Sequence, residues 1–172
     1  MTGVQTCALP ISCAYIGRGY FSLGNMKMAI VYQLKRLSIA EEVGDRVGQG
    51  RACAHLGRAH HSLGEFKKAL EYYQKRLSIA EEVEDKAVLG GTHANLGIAY
   101  HSLGEFNKVI EHHKLDLSIA EDIEDKVKQG RAYANLGIAY HSLGHFKTAL
   151  EYHQQDLRIA KEVKDKAGKG RA

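Results

Sequence analysis

The chain has 172 residues, 44% of them hydrophobic and 26% charged, with a formal net charge of +4. These are ordinary values for a soluble protein, and no apolar run approaches the roughly 18–20 residues needed to span a bilayer. Lys and Arg alternate with Glu in stretches such as Glu71–Lys86, which reads as a solvated helix face and argues against a nucleic-acid patch, where basic clusters with interleaved aromatics are needed.

The chain opens on Met1–Ile11, MTGVQTCALPI. A secretory leader would need a basic start and a longer apolar stretch, and this segment has neither. Thr2–Ile11 resembles the in-frame translation of a common short-read sequencing adapter. Residues 1–11 are therefore expected to be foreign and unstructured, Cys7 and Pro10 included. From Ser12 onward the chain repeats. The glycines of a Leu-Gly or Ile-Gly pair, Gly17, Gly57, Gly97 and Gly137, lie 40 residues apart, and so do Gly24, Gly64, Gly104 and Gly144. A fixed period in this range marks a stacked array of supersecondary units. The expected fold is all-α, a right-handed α-solenoid of antiparallel helix hairpins. Its units are expected at about 12–44, 45–84, 85–124 and 125–164, with a partial one at 165–172. Asp165–Ala172 matches Asp125–Ala132 and then stops, so the chain is expected to be a fragment of a longer array, cut at both ends.

Within one unit, Asp45, Asp85, Asp125 and Asp165 precede helical patterns and are expected as N-caps. Helix A is expected over Lys86–Ser102 and its equivalents. His93, Leu96, Gly97 and Tyr100 share one face of it, and the bare Gly97 lets a second helix approach. Leu103-Gly104 closes helix A through a left-handed glycine. Helix B is expected from about Glu105 to Asp122. Its buried stripe comprises Phe106, Val109, Ile110, His113, Leu117, Ile119, Ala120 and Ile123. Glycines inside helix A, at Gly50, Gly90, Gly91 and Gly130, each cost about 1 kcal/mol relative to alanine and point to a bend or a close helix contact. Cys13 and Cys53 occupy equivalent positions of successive units. At helix-packing distances, on the order of 10 Å, they are beyond disulfide reach. They read as small buried thiols in a reducing, cytoplasmic setting.

This pattern resembles the tetratricopeptide repeat (TPR). The residues that carry the likeness are Leu96-Gly97 with Tyr100, Leu136-Gly137 with Tyr140, and in helix B Ala69 with Tyr73 and Ala149 with His153. Two features depart from the usual pattern. The second small residue of helix B is charged, as Arg36, Arg76, Asp116 and Asp156, and an extension such as Leu77–Asp85 replaces the terminal proline. The 40-residue variety is similar to the Leu-Gly-Asn G-protein-signalling modulators (the Pins family) and to large multi-copy metazoan TPR proteins. Kinesin light chain repeats are more distantly similar. The resemblance implies a concave groove, lined by A helices, that binds a peptide or another protein. The residues it places there are Arg51, His55, Arg58 and His61; then Asn95, Ile98 and His101; then Arg131, Asn135, Ile138 and His141, with Ala54, Ala94 and Ala134 between them. Where the modulators carry Asn after Leu-Gly, Arg58, Ile98 and Ile138 stand here, which implies a partly apolar floor. Arg51 and Arg131 match a groove arginine suited to acidic ligand side chains, and Gly91 breaks that row.

Ten histidines raise the question of metal. His60-His61 and His112-His113 are adjacent, about 100° apart on a helix, and His61, His101 and His141 are a whole repeat apart, too far for one ion. No metal, cofactor or catalytic motif is expected, and the chain reads as non-enzymatic. The expected function is an interaction scaffold. The alternatives are self-association through exposed repeat ends, or repeats that regulate an enzymatic domain outside this chain. Mass spectrometry of native protein should find no peptide containing Thr2–Ile11; its recovery would contradict the adapter reading.

Overall fold

The structure, a computed structural model, describes residues 5–169, with side chains described for 9–164. Eight helices follow one another: α1 Gln5–Ser22, α2 Met26–Glu42, α3 Arg46–Ser62, α4 Phe66–Glu82, α5 Lys86–Ser102, α6 Phe106–Asp122, α7 Lys126–Ser142 and α8 Phe146–Lys169. Among the described residues there is no strand. The chain divides into two compact units, the first ending at Glu84 and the second beginning at Asp85. In the first, α1 packs on α2, α2 on α3, and α3 on α4; in the second, α5 to α8 pack in the same consecutive order.

The caps follow from local chemistry. The N–H groups of Gly48, Val88 and Lys128 donate to the side chains of Asp45, Asp85 and Asp125 at 2.8, 2.9 and 3.0 Å. These bonds satisfy first-turn donors that the helix itself leaves free. At the end of α5 the Gly104 N–H donates to His101 and the Glu105 N–H to Tyr100, with Gly104 at φ +74°, the left-handed closure expected. The turns after α4 and α6 put Glu84 and Glu124 at φ +53° and +54°, a conformation that L residues rarely adopt. Where helix B meets the next A helix, Gln49 and Gln129 are buried, and their Nε2 groups donate to the carbonyls of Ala40 and Ala120 at 3.2 and 3.1 Å. The same two carbonyls, near the C-termini of α2 and α6, also accept from the Asp45 and Asp125 N–H groups at 2.8 and 2.9 Å.

Each unit has its own core. Ala52, Leu56, Ala59 and Ala69 are fully buried in the first, and Leu96, Ala99, Leu136 and Ala139 are at most 1% exposed in the second. The Leu-Gly glycines seat a ring of the following helix. A Cβ on Gly97 would lie 2.6 Å from the His113 ring, one on Gly137 would lie 2.6 Å from the His153 ring, and Gly57 is covered by Tyr73 in the same way. In α1, Gln33 covers Gly17. Gln33 is buried, and its amide nitrogen and oxygen have no hydrogen-bond partner. Gly50, Gly90 and Gly130 meet Ile79, Ile119 and Ile159, with a Cβ there 3.1–3.3 Å from the isoleucine Cγ2. Gly91 has nothing within 4 Å of such a Cβ.

Three expectations are corrected. Gln5–Ile11 is helical rather than unstructured, because α1 carries its register back through Ala8 and Leu9 with Pro10 inside the helix; residues 1–4 lie outside the described residues. Asp165 does not cap a helix, because α8 runs through it to Lys169. The left-handed turn residues that precede the capped helices, Gly44, Glu84 and Glu124, have no described counterpart before Asp165. Ala94, placed on the groove face, is buried at 3% exposure. Cys13 and Cys53 are buried thiols.

Gly97→Ala is expected to destabilise the protein by about 1–3 kcal/mol through overpacking, whereas Gly91→Ala is expected to stabilise it by up to about 1 kcal/mol. Urea denaturation of the two variants checks the contrast.

Candidate functional site

Helical spacing puts the predicted groove residues of each A helix on the side away from its buried leucine. On α3, Arg51 and Arg58 are exposed, and His55 and His61 are half-buried. On α5, Asn95 is half-buried and His101 exposed; on α7, Asn135 is half-buried, and Arg131 and His141 are exposed. Ile98 and Ile138 are 44% and 47% exposed, although each lies two residues from a leucine at most 1% exposed. The histidine ladder has a packing role. The rings of His61, His101 and His141 lie 5.1, 5.5 and 5.2 Å from Phe66, Phe106 and Phe146, the first residues of the following helices. This aromatic contact across the tight turn was not anticipated.

In the first unit, α1, α2 and α3 border an open cavity of about 500 Å³. Arg18, Arg36, Arg51 and His55 line it, together with Tyr15, the cap residue Asp45, and Pro10 and Ile11 of the segment read as foreign. The Arg18 guanidinium sits 4.4 Å from the Tyr15 ring, and that of Arg58 sits 4.9 Å from Phe21. Burial pushes His55 down to about 4, and the nearby Arg36 and Arg58 add to the shift, so its imidazole is neutral at pH 7. Arg36 is half-buried; burial and the proximity of Arg51 lower its pKa. Arg18 and Arg36 were missed as site residues. Arg18 holds the position of Arg58 one period earlier, in a degraded copy. Arg36 was visible as a departure from the usual small residue, but nothing in the pattern said that it faces this cavity.

In the second unit the equivalent of Arg36 is Asp116. It is fully buried, neither carboxylate oxygen accepts a hydrogen bond, and Oδ2 lies 3.9 Å from Arg131 Nη2. Burial raises its pKa to about 6, against the opposing pull of Arg131 and Lys128. His113, three residues earlier on α6, is buried and pushed down to about 4. Also between α5 and α6, His93 Nδ1 lies 3.1 Å from His112 Nδ1, and His112 stacks on Tyr100 at 5.3 Å. Among the described residues no three His, Cys, Asp or Glu side chains converge as a metal site. No described helix is long and apolar enough to cross a membrane.

These shifts set an acid response with opposing parts. His55 and His113 have depressed folded pKa values, so the stability tied to their neutral form is present above about 6.5 and is lost as pH falls towards about 4. Asp116 has a raised one, so its contribution is present below about 3.8 and is lost as pH rises through about 6. At pH 7 the charged Asp116 is a liability. Asp116→Asn is therefore expected to raise stability at pH 7 by about 1–2 kcal/mol and to change it little at pH 4. Urea titrations at the two pH values check this, and a loss at pH 7 would mean that the Arg131 contact outweighs burial.

A family model described as a tetratricopeptide repeat matches residues 10–82 and 88–162. No match is found among curated proteins. Among solved structures, BtubC (BKLC) from P. vanneervenii superposes with a TM-score of 0.88 at 20% identity, over 95% of this chain and 68% of that one. The apo form of RapI gives 0.85 at 23% identity, over 92% of this chain and 58% of that one. A Rap protein complexed with competence and sporulation factor gives 0.82 at 16% identity, over 94% and 45%. The chain thus spans about half the length of the two Rap structures. At these identities the likeness is one of fold, the α-solenoid of helix hairpins. With most of its length inside the matched segments, the chain belongs to the tetratricopeptide repeat family.

Proposed function

We propose that the chain is a non-enzymatic interaction scaffold whose exposed A-helix faces bind an extended segment of a partner protein. The observation that carries this reading is the pair Ile98 and Ile138. Both are large, apolar and about half exposed at repeat-equivalent positions, beside leucines that are at most 1% exposed. A lone exposed apolar residue needs no explanation, but a recurring one flanked by Asn, His and Arg has the make-up of a binding face. Arg51 and Arg131 add cations suited to acidic side chains; with the 40-residue register, they are what supports likening the array to the Leu-Gly-Asn modulators. The Rap protein complexed with competence and sporulation factor is a structural neighbour with a bound ligand and supports the same mode of action. Buried thiols at Cys13 and Cys53 fit a cytoplasmic setting. A resident cofactor has no part in this reading.

A specific observation also favours self-association. On α8, Phe146, Leu150 and Leu157 are 63%, 59% and 55% exposed, an apolar row that a second copy could cover. Light scattering over a concentration series separates the two readings.

The scaffold reading is tested with peptides selected on this chain from a random display library. Arg131→Glu combined with Asn135→Ala is expected to weaken their binding at least tenfold with helicity unchanged. Full affinity in that variant would count against the groove.

A further inference from the structure

The same place in the two units is charged differently. In the second unit the position between helix B and the next A helix holds Asp116, with Arg131 3.9 Å away, so the cation has its own counter-charge. Eighty residues earlier, Asp116 is replaced by Arg36 while Arg131 is matched by Arg51, so two cations stand where an ion pair could form. Arg18, where the second unit has Ile98, adds a third. Asp45 is the one carboxylate lining this cavity, and its Oδ1 already accepts from the Gly48 N–H at 2.8 Å. No ion pair joins Arg18, Arg36 or Arg51 to an acid among the described residues. With His55 neutral, the cavity carries two unbalanced positive charges.

We infer that this cavity takes a phosphoryl group carried by the extended partner segment, held by Arg18, Arg36 and Arg51. The inference rests on the scaffold reading for the partner, though not for the anion. A phosphomonoester carries about −1.5 to −2 at neutral pH, which matches the local excess; a carboxylate leaves one cation unbalanced. Guanidinium groups bind phosphate through paired N–H donors. Half-burying the Arg36 guanidinium beside Arg51, with only Asp45 to oppose them, is costly, and an arriving anion lowers that cost. The apolar walls, Ala14, Ala40 and Val47 with Pro10 and Ile11 at the rim of α1, suit the carbon arm that bears the phosphate; the three arginines that hold the phosphate lie outside residues 1–11. In the second unit Asp116 already stands in the anion's place.

Inorganic phosphate is the first probe, used in thermal unfolding and calorimetric titration of the whole chain against chloride of equal ionic strength. Phosphate at about 10 mM is expected to raise Tm by a few degrees, saturably. Arg36→Asp gives the first unit the charge balance of the second. It is expected to fold with an equal or higher Tm and to lose the phosphate response, while Arg131→Gln keeps it. A wild-type response no larger than that to chloride, or a response that persists in Arg36→Asp, overturns the site. The second probe is a set of library-selected peptides with and without one phosphoserine. Phosphorylation is expected to tighten binding at least tenfold. If phosphate binds but phosphorylation changes nothing, the site holds free phosphate and the phosphorylated partner is wrong. Peptide binding without a phosphate response sinks the pocket alone, and the reverse result sinks the scaffold reading.

Discussion

Each hairpin depends on a ring seated on a glycine. The glycine of the Leu-Gly pair removes the side chain that would hold helix A away from helix B, and Tyr73, His113 or His153 fills the space. A second set of glycines at the other end of helix A, Gly50, Gly90 and Gly130, admits an isoleucine of the same helix B. With both ends held close, the intervening leucines, Leu56, Leu96 and Leu136, are sealed to at most 1% exposure. Dense packing of this kind tolerates little change in volume. It also uses one face of helix A and leaves residues such as Ile98 and Ile138 on the other exposed.

Charge then varies at positions that the packing does not decide. The residue at Arg36 and Asp116 lies where one hairpin meets the next A helix, and the framework accepts either charge there. The consequence differs with the sign. Asp116 is sealed beneath Arg131 and held towards its protonated form. Arg36 borders an open cavity beside other cations. The electrostatic character of each unit is therefore set by a few side chains on a shared backbone.

Much of the fold was legible because it is written several times. Lys86–Ser102 has the limits read from its periodicity, and the caps at Asp45, Asp85 and Asp125 form as their position implies. Errors arose where repetition fails. The first copy is degraded, which hid Arg18, and reading residues 1–11 as foreign set aside the helical course of Gln5–Ile11. Asp165 reads like its equivalents, yet a cap needs a turn before it, and α8 makes none. The contact of His61, His101 and His141 with the next phenylalanine depends on how a tight turn folds back, which helical spacing does not encode. The burial of Asp116 depends on Gly90 and Arg131 in neighbouring helices, so its environment could not be read from α6 alone.

A proteolysis-based stability scan across α3, α5 and α7 probes the two-faced helix most directly. Alanine at Leu56, Leu96 and Leu136 should cost about 2–5 kcal/mol, repeating at the 40-residue period. Alanine at Arg51, Asn95, Ile98, Asn135 and Ile138 should stay within about 0.5 kcal/mol. Losses at Ile98 and Ile138 as large as those at Leu96 and Leu136 would show that the second face is occupied in holding the fold, and would contradict a face left free for a partner.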